Sequence, residues 1–389
     1  MIFGQALVSP ETGLPLRADT PHSLTDGTGR WPVIDAIPFL RVGRADLAAA
    51  ALARLDAGEA DEALCELLAD QDAWWDGPAP AREALRDLVR NRAGLSLRDA
   101  MARLGYGRVG DYFAHRWSDP TFVAGLALIE AHWTEPASAF ELACGIGHYL
   151  RELDLRGVRA LGADVVFSKL WLARHWVVGP RVALICFDAA APWPVPGLRA
   201  DLALCQDAFY FLEPKREILA RLRAVVGPDG IVAVGHIHNS EAANLSGGAA
   251  LSAGDLAALF PEAVVYDDSE LTRAAAEARV PCPETAAALR QAEAFSLVEG
   301  PALTRLPRPL DRGLTVPAPG AKLTRNPLYG EIGPDGAAAL SWPSERYRSE
   351  YAARATYPAT TRLPPGVVGG PAALAAARQR EAVALPERW

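Results

Sequence analysis

The side chains able to do chemistry stand at the ends of successive apolar runs. Glu141 comes three residues before Cys144-Gly145-Ile146-Gly147-His148. An apolar run, an acid, two glycines spaced by one and then a segment of helical spacing is the punctuation of strand, tight turn and helix. Glycine lets a ligand approach the backbone because no Cβ intervenes. The helix that follows aims its unpaired N–H groups at the same spot. Asp164 closes the next apolar run, twenty-three residues after Glu141, and Asp188 the one after that. Gln206 and Asp207 close a fourth, and His236, His238 and Asn239 a fifth. A lone aspartate reads as a turn or cap residue; three acids closing three successive runs, behind a glycine turn, read as one site.

Positioning such a set needs parallel strands. The segment 137–240 alternates strand and helix, which predicts an α/β fold: a Rossmann-like parallel sheet with helices on both faces. The expected strands are 139–141, 160–164, 182–187, 201–206 and 231–236. The expected helices are 148–155, 168–176 and 214–225, with a short turn near Trp193. The tight turn 227–230 is expected to feed the last strand. The carboxyl ends of neighbouring parallel strands converge on one crevice, which gathers Glu141, Asp164, Asp188 and Asp207.

Two ligand classes use a strand–glycine turn–helix. The dinucleotide fingerprint needs a third glycine, and Leu150 occupies that position. The form Glu141-x-x-Cys144-Gly145-x-Gly147 instead closely resembles motif I of the class I S-adenosylmethionine-dependent methyltransferases, and the resemblance extends through 137–240. It implies S-adenosylmethionine as cofactor. Glu141 then orders the methionine end, while Ala143, Gly145 and Gly147 let the chain pass against the cofactor and His148 caps its edge. Asp164 accepts from both ribose hydroxyls, as a carboxylate can in one plane. Asp188 and the Ala189 backbone read the adenine. Gln206 and Asp207 resemble motif IV, flanking the reactive methyl. Tyr112 and Arg116 belong to a polar-aromatic cluster with His115 and Trp117, just before the first strand, where the family often carries a lid. They are candidate acceptor-binding residues, as are Tyr210 and Asn239, although Phe209 and Tyr210 also suit packing under the sheet.

The sulfonium is already a strong methyl donor, so catalysis is mainly in-line positioning. A base matters for a hydroxyl acceptor. His236 and His238, at i and i+2, share one strand face, and either could take that proton; burial against backbone explains them equally well. No third ligand is visible beside them, so no metal is expected.

The chain has 389 residues, which suggests two to three domains. Lys and Arg number 39 against 47 Asp and Glu, for a net charge of −8. So acidic a chain is not expected to bind nucleic acid broadly. The five cysteines include no C-x-x-C pair, and Cys144, Cys186 and Cys205 fall in expected strands. They read as buried small hydrophobes of a reducing compartment. No signal peptide and no membrane-length apolar run are seen, so a cytoplasmic location is expected.

Residues 1–44 are expected to form a small β unit. Its Trp31-Pro32-Val33-Ile34-Asp35-Ala36-Ile37-Pro38 resembles the closing run of the zinc-ribbon-like domain that activates some tRNA and protein methyltransferases. Ser9 and Thr12 stand where that family has its cysteines, and hydroxyls do not replace thiolates on zinc; a metal-free unit follows. Residues 45–110 read as helices over 46–55, 60–70 and 81–91, with Ser96 capping a helix that Gly105 and Gly107 end. Trp74 and Trp75 read as packing residues. The cofactor domain is expected over 111–300, with a first helix at 121–133. Beyond its last strand, helices are expected at 252–260 and 284–294 and a strand at 263–266. The extension 301–389 is expected to hold a hairpin from 323–332 and 337–342, a Tyr-containing helix over 344–354, and a partly disordered tail. The leading function is methylation of oxygen or nitrogen on a small-molecule acceptor, a natural-product or glycan intermediate. The alternatives are a tRNA or protein methyltransferase and a non-catalytic S-adenosylmethionine-binding scaffold. The oligomeric state stays open, a homodimer included.

Overall fold

The computed structural model describes residues 6–389 except 74, 76, 244–247, 286, 302, 304, 305 and 369–371, so Trp74 lies outside the described residues. The chain opens with an antiparallel sheet in the order β1 (Arg17–Thr20), β2 (Ser23–Thr25), β3 (Arg30–Ile34), β4 (Ile37–Pro38). Where the resembling family has cysteines, hydroxyls knit the turn: Ser9 Oγ accepts from the Thr12 N–H at 3.3 Å, and Thr12 Oγ1 donates to Asp26 at 2.6 Å. Helices α1 (Ala45–Asp56), α2 (Ala60–Leu68), α3 (Arg82–Asn91) and α4 (Leu97–Arg103) follow. Ser96 and Asp99 form a capping box that starts α4. Gly105, at φ +71°, ends that helix. Gly107, expected to end it as well and itself left-handed at φ +48°, instead opens α5 (Gly107–His115). Helix α6 (Pro120–Ala131) starts on Asp119, which accepts from the Phe122 N–H at 2.8 Å, with proline at its first position. Every residue of α6 is buried.

The main sheet has seven strands. They are β5 (Ser138–Leu142), β6 (Arg159–Asp164), β7 (Val182–Cys186), β8 (Ala200–Gln206), β9 (Val226–His238), β10 (Val264–Asp267) and β11 (Ala294–Glu299), in the order β10-β11-β9-β8-β5-β6-β7. The five strands β5 to β9 run parallel, and β11 and β10 add antiparallel at one edge. Helices α7 (His148–Leu155), α8 (Phe167–Leu172) and α9 (Lys215–Val225) cross between them, giving the α/β Rossmann-like layering. Register aligns Glu141 with Gly162, Asp164 with Cys186 and Gln206 with Gly235. The candidate acids therefore share one edge of the sheet. Beyond β7 the small N-terminal unit continues the sheet: Phe39 bridges Cys186 in parallel, and the Leu40 N–H donates to the Cys186 carbonyl at 2.8 Å.

Several expectations differ from the structure. The stretch 227–230 is not a separate turn; β9 begins at Val226, and an irregularity between Ala200 and Leu202 absorbs the mismatch. The helix expected at 284–294 is a 3-10 turn, Ala288–Gln291, since the Glu284 N–H pairs with the Val265 carbonyl at 2.8 Å. The helix of this region is α11 (Asp268–Glu277), capped by Asp267, while α10 (Ala253–Leu259) lies where expected. In the extension, β12 (Leu323–Arg325) does not join the hairpin, which is β13 (Tyr329–Ile332) with β14 (Ala338–Leu340). Helix α12 (Glu345–Tyr351) follows. The tail expected to be partly disordered carries β15 (Thr360–Thr361), β16 (Val367–Val368), α13 (Ala372–Arg378) and β17 (Ala382–Val383). Its last residue is anchored, with Trp389 Nε1 donating to the Ala114 carbonyl at 2.7 Å. Among the described residues no helix is long and apolar enough to cross a membrane.

Candidate active site

The glycine turn is built from left-handed backbone: Ala143 and Gly145 both have φ +56°, and Gly147 +82°. Asp164 clamps it across the sheet, Oδ2 accepting from the Gly145 N–H at 2.9 Å and Oδ1 from the Val166 N–H at 2.9 Å. Each oxygen retains a further lone pair. Gly147 does not face the cavity; a Cβ there would stand 2.8 Å from Val178 Cγ1, so its role is close packing. Glu141 is buried and its Oε2 has no hydrogen-bond partner. Burial, then the nearby Asp164, pushes its carboxyl well above the usual range. A cation placed there would supply the missing partner. Asp188 Oδ1 accepts from the Ala190 N–H at 2.9 Å, and the Ala189 carbonyl accepts from Trp193 Nε1 at 3.0 Å and from Arg221 at 3.0 Å. His148 is buried, with Nε2 2.9 Å from the Phe113 carbonyl; burial holds its pKa down at about 3, so the ring is neutral and donates.

These groups line one end of a cavity of about 760 Å³. Asp207 marks its other end. Tyr112 Oη donates to Asp207 Oδ2 at 2.7 Å, Tyr210 Oη to Oδ1 at 2.8 Å, and Arg116 stands 3.1 Å from Oδ2. Burial alone would raise the Asp207 carboxyl, but Arg116, His236 and His238 outweigh it and hold it at about 2. Arg116 also pairs with Asp119 at 3.4 Å. The histidines sit behind this group and do not line the cavity. His236 Nδ1 lies 2.5 Å from Asp268 Oδ2, and its Nε2 lies 3.9 Å from Asp207 Oδ1. Ser296 Oγ donates to the other Asp268 oxygen. His238 Nδ1 lies 3.0 Å from Glu293. Asn239 is the candidate that the fold uses elsewhere: its amide donates to the Arg290 and Ala292 carbonyls at 3.1 and 2.8 Å, and it does not line the cavity.

The sequence model of the methyltransferase domain family matches residues 140–234. Residues 140–234 are a methyltransferase domain. That family uses S-adenosylmethionine, and the residues present fit it: the orphaned Glu141 oxygen suits the ammonium, the left-handed turn leaves room for the methionine tail, and Asp164 keeps acceptor capacity for the ribose. No curated protein sequence matches the chain. Solved structures similar in fold include phosphoethanolamine N-methyltransferase 2 of Haemonchus contortus with S-adenosyl-L-methionine, at 18% identity over 44% of this chain and 46% of that one, TM-score 0.36. A TehB-like SAM-dependent methyltransferase of Corynebacterium glutamicum gives 18% identity, 46% and 86% coverage, and TM-score 0.33. A SAM-bound amino pentose methyltransferase of Micromonospora echinaspora gives 23%, 33% and 54%, and 0.28. The chain spans about half the length of the first of these.

The cavity also takes walls from outside residues 140–234, and several of them have no motif. Lys169 lies 3.2 Å from Asp72 of the helical segment, and the carboxylates around it keep it charged despite burial. Trp75 packs on Tyr106 at 6.0 Å, and both line the cofactor end. Tyr347 and Tyr351, one helical turn apart on α12, wall the Asp207 end together with Arg346 and Glu350. The i, i+4 tyrosines were the one local signal available for that wall.

Proposed function

We propose that the protein transfers a methyl group from S-adenosylmethionine to a hydroxyl or amine of a small-molecule acceptor, of natural-product or glycan type. The observation that carries this reading is one cavity lined by both Glu141–Asp164 and Asp207, with α12 along its wall. S-adenosylmethionine would supply an activated methyl on sulfur. The chain supplies position. Glu141 and Asp164 fix the donor end, and the glycine turn sets its depth. Ionised Asp207, itself held by Tyr112, Tyr210 and Arg116, accepts a hydrogen bond from the incoming hydroxyl or amine and so orients its lone pair. Tyr347 and Tyr351 offer aromatic faces to a ring or sugar. A cavity of that size favours a small acceptor over tRNA or protein, and its continuity from Glu141 to Asp207 argues against an inert scaffold.

Calorimetry with S-adenosylmethionine on wild type and Asp164→Ala tests the donor half. Loss of two charge-assisted hydrogen bonds should weaken binding by about 100-fold or more; undiminished binding would sink the assignment. A labelled-methyl screen against extracts of the producing organism tests the acceptor half. Label appearing only in tRNA or protein would overturn the small-molecule reading.

A further inference from the structure

Asp207, His236 and His238 each turn one potential ligand atom toward a common point, all within 4.8 Å of one another. We propose that these three side chains bind a divalent transition-metal ion behind the acceptor end of the cavity, which Asp207 lines. The role toward an acceptor rests on the methyl-transfer reading above; the binding itself does not.

The first argument is the orientation of the rings. His236 turns Nδ1 to Asp268 and His238 turns Nδ1 to Glu293. Each ring thereby donates Nδ1–H to a carboxylate and leaves the Nε2 lone pair for an ion, the carboxylate–histidine arrangement that fixes tautomer and raises basicity at metal sites. Two such pairs side by side, with ring centroids 4.6 Å apart, aim at one carboxylate. Asp268 is held in turn by Ser296, and Glu293 by Arg354 at 3.3 Å.

The second argument is charge. Around the triad stand four carboxylates, Asp119, Asp207, Asp268 and Glu293, against two guanidinium groups, Arg116 and Arg354. The carboxylates outnumber the guanidinium groups by two, an excess that a divalent ion offsets.

The third argument is the backbone. Asp207 and His236 both adopt left-handed φ, +52° and +53°, two of the eight non-glycine residues that do so among the described residues. Strain of this kind gathers at functional sites, and here it falls on two of the three proposed ligands. Bonds of about 2.1 Å place neighbouring ligand atoms roughly 3.0–3.4 Å apart, so the 3.9 Å between Asp207 Oδ1 and His236 Nε2 closes by less than about 1 Å on binding. Two imidazoles and a carboxylate suit zinc, iron or cobalt rather than magnesium or calcium.

The test uses the full chain, stripped with chelator and titrated with Co²⁺ while its visible absorption is followed, with Zn²⁺ as competitor. Wild type should take up a single equivalent. His238→Gln should lose it, and Glu293→Gln, which alters only the group orienting His238, should bind about 10–100-fold more weakly. S-adenosylmethionine calorimetry on each protein reports that the fold is intact. Wild type that binds S-adenosylmethionine but shows no Co²⁺ absorption overturns the site, as does a folded His238→Gln with undiminished Co²⁺ affinity. Co²⁺ bound by a wild type that does not bind S-adenosylmethionine would leave the site standing and remove the methyl-transfer reading instead.

Discussion

Replacing Glu141 by glutamine should separate cofactor binding from fold stability, because the two effects have opposite signs. In the free protein the Glu141 carboxyl is buried, faces Asp164 and has one oxygen without a partner. Its folded pKa is raised above the ordinary 4.5 by burial first and Asp164 second. Ionising it therefore costs the folded state more than the unfolded one. That cost sets in as pH rises past 4.5 and is complete above the folded pKa. Glutamine keeps the shape and cannot ionise, so Glu141→Gln should be at least as stable as wild type, with an advantage that grows across this window. Binding moves the other way. A charge-assisted hydrogen bond to the ammonium is worth about 1.5–3 kcal/mol, so the variant should bind S-adenosylmethionine about 10–150-fold more weakly. Thermal melts of the free proteins from pH 5 to 8 and calorimetry at pH 7 read the two effects separately. Binding within about threefold of wild type would refute the ammonium role. A variant that is less stable when free and unchanged in affinity would show that Glu141 serves the fold.

Arg116→Ala strands Asp119 and Asp207 in a buried site, and urea unfolding should show a loss of about 3–5 kcal/mol. Gly147→Ala must hold a Cβ 2.8 Å from Val178 Cγ1 at φ +82°, so a destabilisation of about 1–3 kcal/mol is expected from the same measurement. His115, His132 and His148 are buried, which lowers their pKa values to about 4, 4 and 3. The unfolded chain then binds protons first as pH falls below 6.5, so stability is lost from there downward, toward pH 3–4. His236, raised by its carboxylates, acts outside this window: its contribution is complete below pH 6.5 and is lost as pH rises. Acid titration of unfolding should show net proton uptake in that window, and its absence would mean these rings are charged when folded.

The gathering of Glu141, Asp164 and Asp188 was legible in the sequence because parallel strands encode it locally. Glu141, Asp164 and Asp188 each end an apolar run, and register carries strand ends to one edge of the sheet, so spacing alone brings them together. Where the reading failed, a non-local pairing overrode a local preference. The Ala-rich segment 284–294 has helical composition, yet Glu284 is drawn into pairing with Val265 and β11 starts at Ala294. The missed helix α11 carried ordinary signals, an Asp267 cap and an alanine run, and was readable. Gly145 and Gly147 looked alike, but only Gly145 faces the cavity; Gly147 answers to Val178, thirty-one residues on, which no turn pattern announces.

The acceptor end is different in kind. Asp207 is held by Tyr112, ninety-five residues before it; His236 is oriented by Asp268 and His238 by Glu293, thirty-two and fifty-five residues after them. Arg354, from the C-terminal extension, closes the group. None of these separations follows a helical or strand period, so the sequence reads as two isolated histidines and one aspartate. The third side chain beside the histidine pair became visible only when β8 and β9 were laid parallel, with Gln206 opposite Gly235. The two ends of the cavity therefore depend on different parts of the chain. On the proposed reading, strands β5 to β7 specify the donor, whereas α5, α11, β11 and α12 specify what meets it. Substitutions on α12, such as at Tyr347 or Arg346, can then alter the acceptor while leaving Glu141 and Asp164 untouched. The strand-end code, identifying as it is for the cofactor, carries so little about the substrate for this reason.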